Sequence, residues 1–120
     1  MRANQFIELL FLGRDIAHSA HLNTRSYAKH KVLEGFYEEI VGLVDTFAEV
    51  YQGRYGLVGQ VNLPPVKKSG NIADFLQAQL DEIEKVRYTV CKQEETALQN
   101  IIDEIVVLYL ATLYKLKFLA

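Results

Sequence analysis

The chain has 120 residues and a mass of 13.7 kDa, room for one domain and not for two. Half of its residues are hydrophobic while the mean hydropathy is only +0.03, so apolar and polar side chains are interleaved, which suits a packed core and excludes a disordered tail. Thirteen basic and fifteen acidic side chains leave a net charge of −2, without the positive excess of a nucleic-acid binder.

The apolar start of the chain, Phe6 to Leu12, is interrupted by Glu8 and followed by Arg14 and Asp15. A secretion signal would place small residues there, so a helix is expected instead. The first predicted helix covers about 4–21, with Phe6, Leu9, Leu10, Gly13, Ile16, Ala17 and Ala20 in one stripe. Asn23-Thr24-Arg25-Ser26 is rich in capping residues and reads as a turn. The second helix is expected over 26–52, with Val32, Leu33, Phe36, Ile40, Val41, Leu43, Val44, Phe47 and Ala48 apolar. Residues 53–70 hold four of the seven glycines, both prolines and Lys67-Lys68-Ser69, the composition of a crossover connection. Asn71 is a candidate N-cap, with Asp74 in the place of a capping-box acid. A third helix follows over 72–91, then the polar break Lys92 to Glu95, then a fourth helix over 96–118. The run Ile105 to Tyr114 is apolar nearly all round, but Lys115 and Lys117 end it short of a membrane span. Such a helix is expected to bury surface against a second subunit as well as its own bundle.

Short turn, long crossover, short turn: this is an all-α chain, a single domain over 1–120 with two antiparallel hairpins. Among four-helix bundles, one long crossover is the ferritin-like topology. The sole cysteine, Cys91, excludes a disulfide framework and a multi-thiolate zinc site, and a reducing, cytoplasmic setting is expected.

The chemistry is concentrated in His18, His30, Glu34, Asp45 and Glu49. At about 100° per residue, His30, Glu34, Asp45 and Glu49 fall at about 0°, 40°, 60° and 100°, on one side of the second helix. A solvated acidic face is the plain reading of such a stripe. Carboxylates beside Val41 and Ala48 are costly to bury unless paired or metal-bound. His18 and His30 are equidistant from Thr24, so an antiparallel hairpin places them opposite one another, and His21 opposite Tyr27. Asp45 is fifteen residues from His30, roughly 22 Å along the axis. One chain therefore cannot close these groups into one site. A two-fold pairing of second helices centred near 39–40 would bring His30 and Glu34 of one copy to Asp45 and Glu49 of another. Imidazole and carboxylate donors without thiolate suit iron, manganese or zinc.

The ordered spacing of His18, His30, Glu34, Asp45 and Glu49 resembles that of the Dps-type mini-ferritins, whose pattern is His, His, Asp, Asp, Glu at the same intervals. Glu34-Gly35-Phe36 is similar to that family's Asp-Gly-Phe, Asp45-Thr46-Phe47-Ala48-Glu49 to its Asp-x-x-Ala-Glu, and Glu95-Thr96-Ala97 to its Asp-Thr-Ala. The resemblance implies these five residues as iron ligands across a homodimer interface. It further implies oxidation of Fe(II), preferentially by hydrogen peroxide, with ferric mineral held in a twelve-subunit shell. The sequence departs from the pattern at Glu34, one methylene longer than aspartate, and at Ser19 and Val50, where the family has Trp and Arg. A basic N-terminal tail is missing, which argues against DNA as a partner; Arg54, Lys67 and Lys68 offer only a small basic patch. His21 is expected to be structural or at the surface near the turn, with an accessory ligand as the alternative, Cys91 a small core residue, and Tyr27, Tyr37 and Tyr51 packing residues. Glu94 and Glu95 could line an ion-entry pore or simply oppose a helix dipole. A non-enzymatic helical oligomer or partner-binding module on the same scaffold is the rival reading.

Overall fold

Helix formation follows the apolar spacing and the caps closely. In the computed structural model, which describes residues 1–63 and 70–119, α1 spans Ala3–Asn23, α2 Tyr27–Tyr55, α3 Ile72–Val90 and α4 Thr96–Phe118, and no strand occurs among the described residues. Ser26 caps α2 by accepting from the Lys29 amide at 3.2 Å. Asn71 caps α3 by accepting from Ala73 and Asp74 amides at 2.8 and 3.3 Å. The cap is thus the asparagine itself, and Asp74 contributes charge in the first turn rather than a reciprocal bond. Gly56 ends α2 at φ +93°, a left-handed conformation that glycine adopts without Cβ strain.

Each helix turns its stripe inward: Phe6, Leu10 and Ala17 from α1, Leu33, Phe36, Ile40, Val44 and Phe47 from α2, Leu76, Leu80 and Ile83 from α3, and Ile102, Ile105, Tyr109 and Leu113 from α4. α1 packs on α2 and α3, and α4 packs on α2 and α3, leaving α1–α4 and α2–α3 as the diagonals of a four-helix bundle. Helix directions follow from bonds at the ends. The Met1 amino group donates to Thr89 Oγ1 at 3.1 Å, and the Tyr55 hydroxyl donates to Glu95, so the start of α1, the ends of α2 and α3 and the start of α4 share one end. Lys117 reaches Gln77 at 3.4 Å at the other. The sixteen-residue link from Gly56 to Asn71 therefore joins diagonal helices across the length of a bundle 44 Å long. Extended chain covers that distance at about 3.3 Å per residue. Its Asn62 amide donates to Glu8 Oε2 at 3.1 Å, which holds that part of the link to α1. The prolines, Lys67, Lys68 and Ser69 of the predicted crossover lie outside the described residues.

A buried polar chain ties three helices together. Gln79 donates to the Leu9 carbonyl at 2.9 Å and accepts from the Tyr109 hydroxyl at 2.7 Å. Gly13 leaves the space: a Cβ there would stand 2.2 Å from Gln79 Oε1 and 2.8 Å from Tyr109 Oη. Burial pushes the Tyr109 phenol far above its ordinary value, so it acts as a neutral donor. At the α3–α4 turn, Arg87 donates to the Gln99 side chain and carbonyl at 2.8 and 3.0 Å and pairs with Asp103 at 2.6 Å. Cys91 is buried and its thiol is pushed up by that burial, as a small core residue would be.

Of the described helices, α4 is long and apolar enough to cross a membrane by length and composition, with 44% of its most apolar window buried. In the bundle it supplies core residues along one face and exposes Val107, Leu110, Tyr114 and Phe118 on the other. Glu95 is engaged within the chain, accepting from Tyr55 and lying 3.7 Å from Arg54, so it pins the end of α2 to the start of α4.

Candidate metal centre

The imidazoles gather where α1 hands over to α2. α1 continues to Asn23, with the Thr24 amide donating to the Ala20 carbonyl, and Ser26 starts α2 only three residues later. This short turn puts His21, rather than His18, against His30: the rings stack with centroids 3.6 Å apart and planes 22° apart. Equidistance from Thr24 had paired His18 with His30, but the midpoint of the observed pair falls between Arg25 and Ser26. His18 instead lies flat on Tyr37, 4.1 Å between centroids and 12° between planes, with His21 edge-on to it at 5.9 Å. Tyr27, expected opposite His21, is exposed and its ring is 6.4 Å from that of His30.

The stacked pair is interlocked through the backbone. His21 Nδ1 is 2.7 Å from the His30 carbonyl oxygen, and His30 Nδ1 is 3.0 Å from the His21 carbonyl oxygen. A carbonyl only accepts, so both rings carry their proton on Nδ1, and in the neutral ring the basic lone pair sits on Nε2. His21 is buried, and no hydrogen bond to its Nε2 is formed among the described residues.

One turn along α2, Glu34 accepts from the Lys31 ammonium at 2.7 Å. That bond and charge hold the Glu34 carboxyl below the usual range, and the imidazoles of His21 and His30 act in the same direction. Two imidazoles and one ionised carboxylate thus share one end of the α1–α2 hairpin. Asp45 and Glu49 lie farther along α2, both exposed and without an ion pair among the described residues. No group of three or more His, Cys, Asp or Glu side chains converges closely enough for one metal ion within the described residues. The structure therefore brings His30 and Glu34 together near His21, keeps His18 on Tyr37, and leaves Asp45 and Glu49 apart from them. As donors, imidazole nitrogen and carboxylate oxygen still fit a divalent transition ion, provided further ligands come from outside the chain.

A family described as "Family of unknown function (DUF5856)" matches residues 21–116. The chain belongs to this family. It is similar to a protein of Enterobacteria phage T4 named "Uncharacterized 14.6 kDa protein in mobD-ri intergenic region", at 28% identity over 116 residues, covering 97% of this chain and 88% of that protein. No solved structure matches it. The matched span runs from His21 in the hairpin to Leu116 near the end of α4 and includes His30, Glu34, Asp45 and Glu49.

Sequence reasoning favoured a structural or surface part for His21 over an accessory ligand and left it out of the ligand set. The signal was there in His18-x-x-His21, which puts both rings on one face of α1. What the spacing could not fix was the register of the turn.

Proposed function

We propose that this protein is a Dps-like member of the ferritin-like proteins that binds and oxidises Fe(II) at sites shared between two copies of the chain. The fold part of the reading is supported by the arrangement of neighbours: two hairpins joined by one full-length crossover between diagonal helices. The function part is carried by one observation above all. On the side of α2 turned away from the core, an imidazole with its Nε2 lone pair kept available stands beside a carboxylate held ionised, with two more carboxylates farther along the same side.

In this reading the ligands are His18, His30 and Glu34 of one copy with Asp45 and Glu49 of another, and the homodimer carries two such sites by symmetry. Iron is the substrate, with manganese and zinc as competitors for the same donors. Two Fe(II) ions give one electron each to hydrogen peroxide, which with two protons yields two waters and two Fe(III). The carboxylates would stabilise the higher charge of the product ions, and the His30 Nδ1–H bond to the His21 carbonyl keeps the ligating edge of His30 aimed. Assembly past the dimer, to a twelve-subunit shell, would retain the ferric product as stored mineral. The protein acts in the cytoplasm, where Fe(II) is available and Cys91 stays reduced; DNA and membrane play no part.

The test is addition of Fe(II) and peroxide to purified protein, read as ferric absorbance. Wild type gains it at once, and His30→Ala or Asp45→Ala loses it. Equal inertness of wild type and variants would refute the enzymatic reading. A second reading, a non-enzymatic partner-binding bundle, draws on the exposed apolar stripe Val107, Leu110, Tyr114 and Phe118 of α4. Under it the variants would form the same oligomer by light scattering and neither they nor wild type would oxidise iron.

A further inference from the structure

We propose that the outer face of α4 is a self-pairing surface, on which α4 of a second copy lies antiparallel about a two-fold axis at Leu110. This goes beyond the iron reading and does not depend on it.

Val107, Leu110, Tyr114 and Phe118 are each more than half exposed, and at about 100° per residue they fall within about 80° of one another. A stripe of large apolar side chains left on the surface of a bundle marks a contact. The charges beside it select the partner. About the centre of the stripe, Glu104 and Lys115 lie on one side and Asp103 and Lys117 on the other, so each side has an acid near one end and a lysine near the other. A two-fold axis across the contact reverses the helix direction and keeps each side on its own side. It therefore brings Glu104 to Lys115 of the second copy, and Asp103 to Lys117 of the second copy. The midpoints of these pairs are 109.5 and 110, so one register satisfies both. Val107 and Tyr114, with midpoint 110.5, meet in the same register, and Leu110 meets its own copy. A parallel pairing would set Glu104 on Glu104 and Lys115 on Lys115, and like charges oppose it. Glu104 and Lys115 have no ion pair among the described residues, whereas Asp103 is already paired with Arg87 at 2.6 Å. The Glu104–Lys115 pairs therefore set the register.

The surface has a place for the incoming helix. Beside Val107, α2 and α4 form a groove of about 610 Å³, ample for an aromatic side chain, with Leu43, Thr46 and Leu108 in its wall. Gly42 has no side chain to fill it. Tyr114 of the second copy arrives at the level of Val107, beside this groove. A lipid surface would take the same apolar stripe, but it has no use for charges that change sign along the helix.

The experiment is light scattering of the purified protein over a range of concentrations, with circular dichroism to verify that substitutions at these exposed positions leave the helices intact. Glu104→Lys and Lys115→Glu should each weaken self-association by about tenfold or more, because each sets like charges against one another. Mixed in equal amounts, the two variants should associate about as well as wild type, since each supplies the charge that the other lacks at both ends of the pairing. Leu110→Glu, which puts two carboxylates face to face on the axis, should lower the mass below that of wild type at every concentration. An unchanged mass for Leu110→Glu, or a mixture that associates no better than its components, would overturn the pairing. Binding of wild type but not of Leu110→Glu to phosphatidylcholine vesicles, with the two masses equal in solution, would assign the stripe to a lipid surface and overturn it as well.

Discussion

Replacing Gly13 by alanine tests how the bundle core is built, because two known effects pull in opposite directions. Alanine is the better helix former by about 1 kcal/mol, so a glycine in the middle of α1 with open space around it would be improved by the change. Gly13 has no such space. The new methyl would meet Gln79 Oε1 at 2.2 Å and Tyr109 Oη at 2.8 Å, inside any permitted contact. Gln79 cannot withdraw freely, since its amide is bonded to the Leu9 carbonyl and its oxygen to Tyr109, and both residues are buried. Overpacking of a filled core costs about 1–3 kcal/mol. A buried polar group left unpaired costs about 1–3 kcal/mol more. Against the propensity gain, Gly13→Ala should lose about 1–5 kcal/mol. At fixed protein concentration that corresponds to a Tm lower by roughly 10 °C for a chain of this size. Gly53, which has nothing within 4 Å, is the control, and Gly53→Ala should be neutral or stabilising by up to about 1 kcal/mol. Circular dichroism during heating and urea titration reads both. If Gly13→Ala matched Gly53→Ala, the close packing of Gly13, Gln79 and Tyr109 would be wrong.

Other outcomes follow from the polar contacts. Arg87→Met keeps the stem of a side chain that is 13% exposed but removes its bonds to Gln99 and Asp103, so the urea midpoint should fall by the equivalent of about 1–3 kcal/mol with an unchanged slope; an unchanged midpoint would contradict the α3–α4 clamp. Lys31→Met should let the Glu34 carboxyl rise toward its ordinary value, measured by carbon-13 NMR titration. Because that carboxyl is depressed in the folded protein, the ion pair contributes above the ordinary carboxylate range and is lost as pH falls through the folded value, so wild type and variant should converge in stability only in acid. A Glu34 titration unmoved by the substitution would exclude Lys31 as its cause.

The bundle was legible because the local signals agreed with one another. The spacing of Leu76, Leu80, Ile83 and Val86, the capping types at Ser26 and Asn71, and the polar break at Lys92 to Glu95 each mark one element, and the fourth helix begins and ends where the pattern puts it. The composition of residues 53–70 announced a crossover, and the diagonal placement of α2 and α3 gives it its length. The polar core chain was hidden because Gln79 occupies an apolar stripe position and looks like an interruption until Tyr109 and Gly13 stand beside it. The hairpin register was hidden for a different reason. Whether α1 stops at His21 or continues to Asn23 is settled by one capping bond at Thr24, and that small change exchanges His18 for His21 against His30. Side-chain spacing identifies a face of a helix well and the partner across a turn poorly.

The central claim is that the site is completed by a second copy, and subunit complementation tests it most directly. One variant, His30→Ala with Glu34→Ala, lacks the first half of every site; another, Asp45→Ala with Glu49→Ala, lacks the second. Each alone should be inactive toward Fe(II) and peroxide. Co-refolded in equal amounts, half of the dimers pair unlike chains, and each of these regains one intact site of two. The mixture should then recover about a quarter of the wild-type initial rate, by the two-fold symmetry of such a pairing. A mixture that contains mixed dimers and stays as inactive as its components would contradict the shared site.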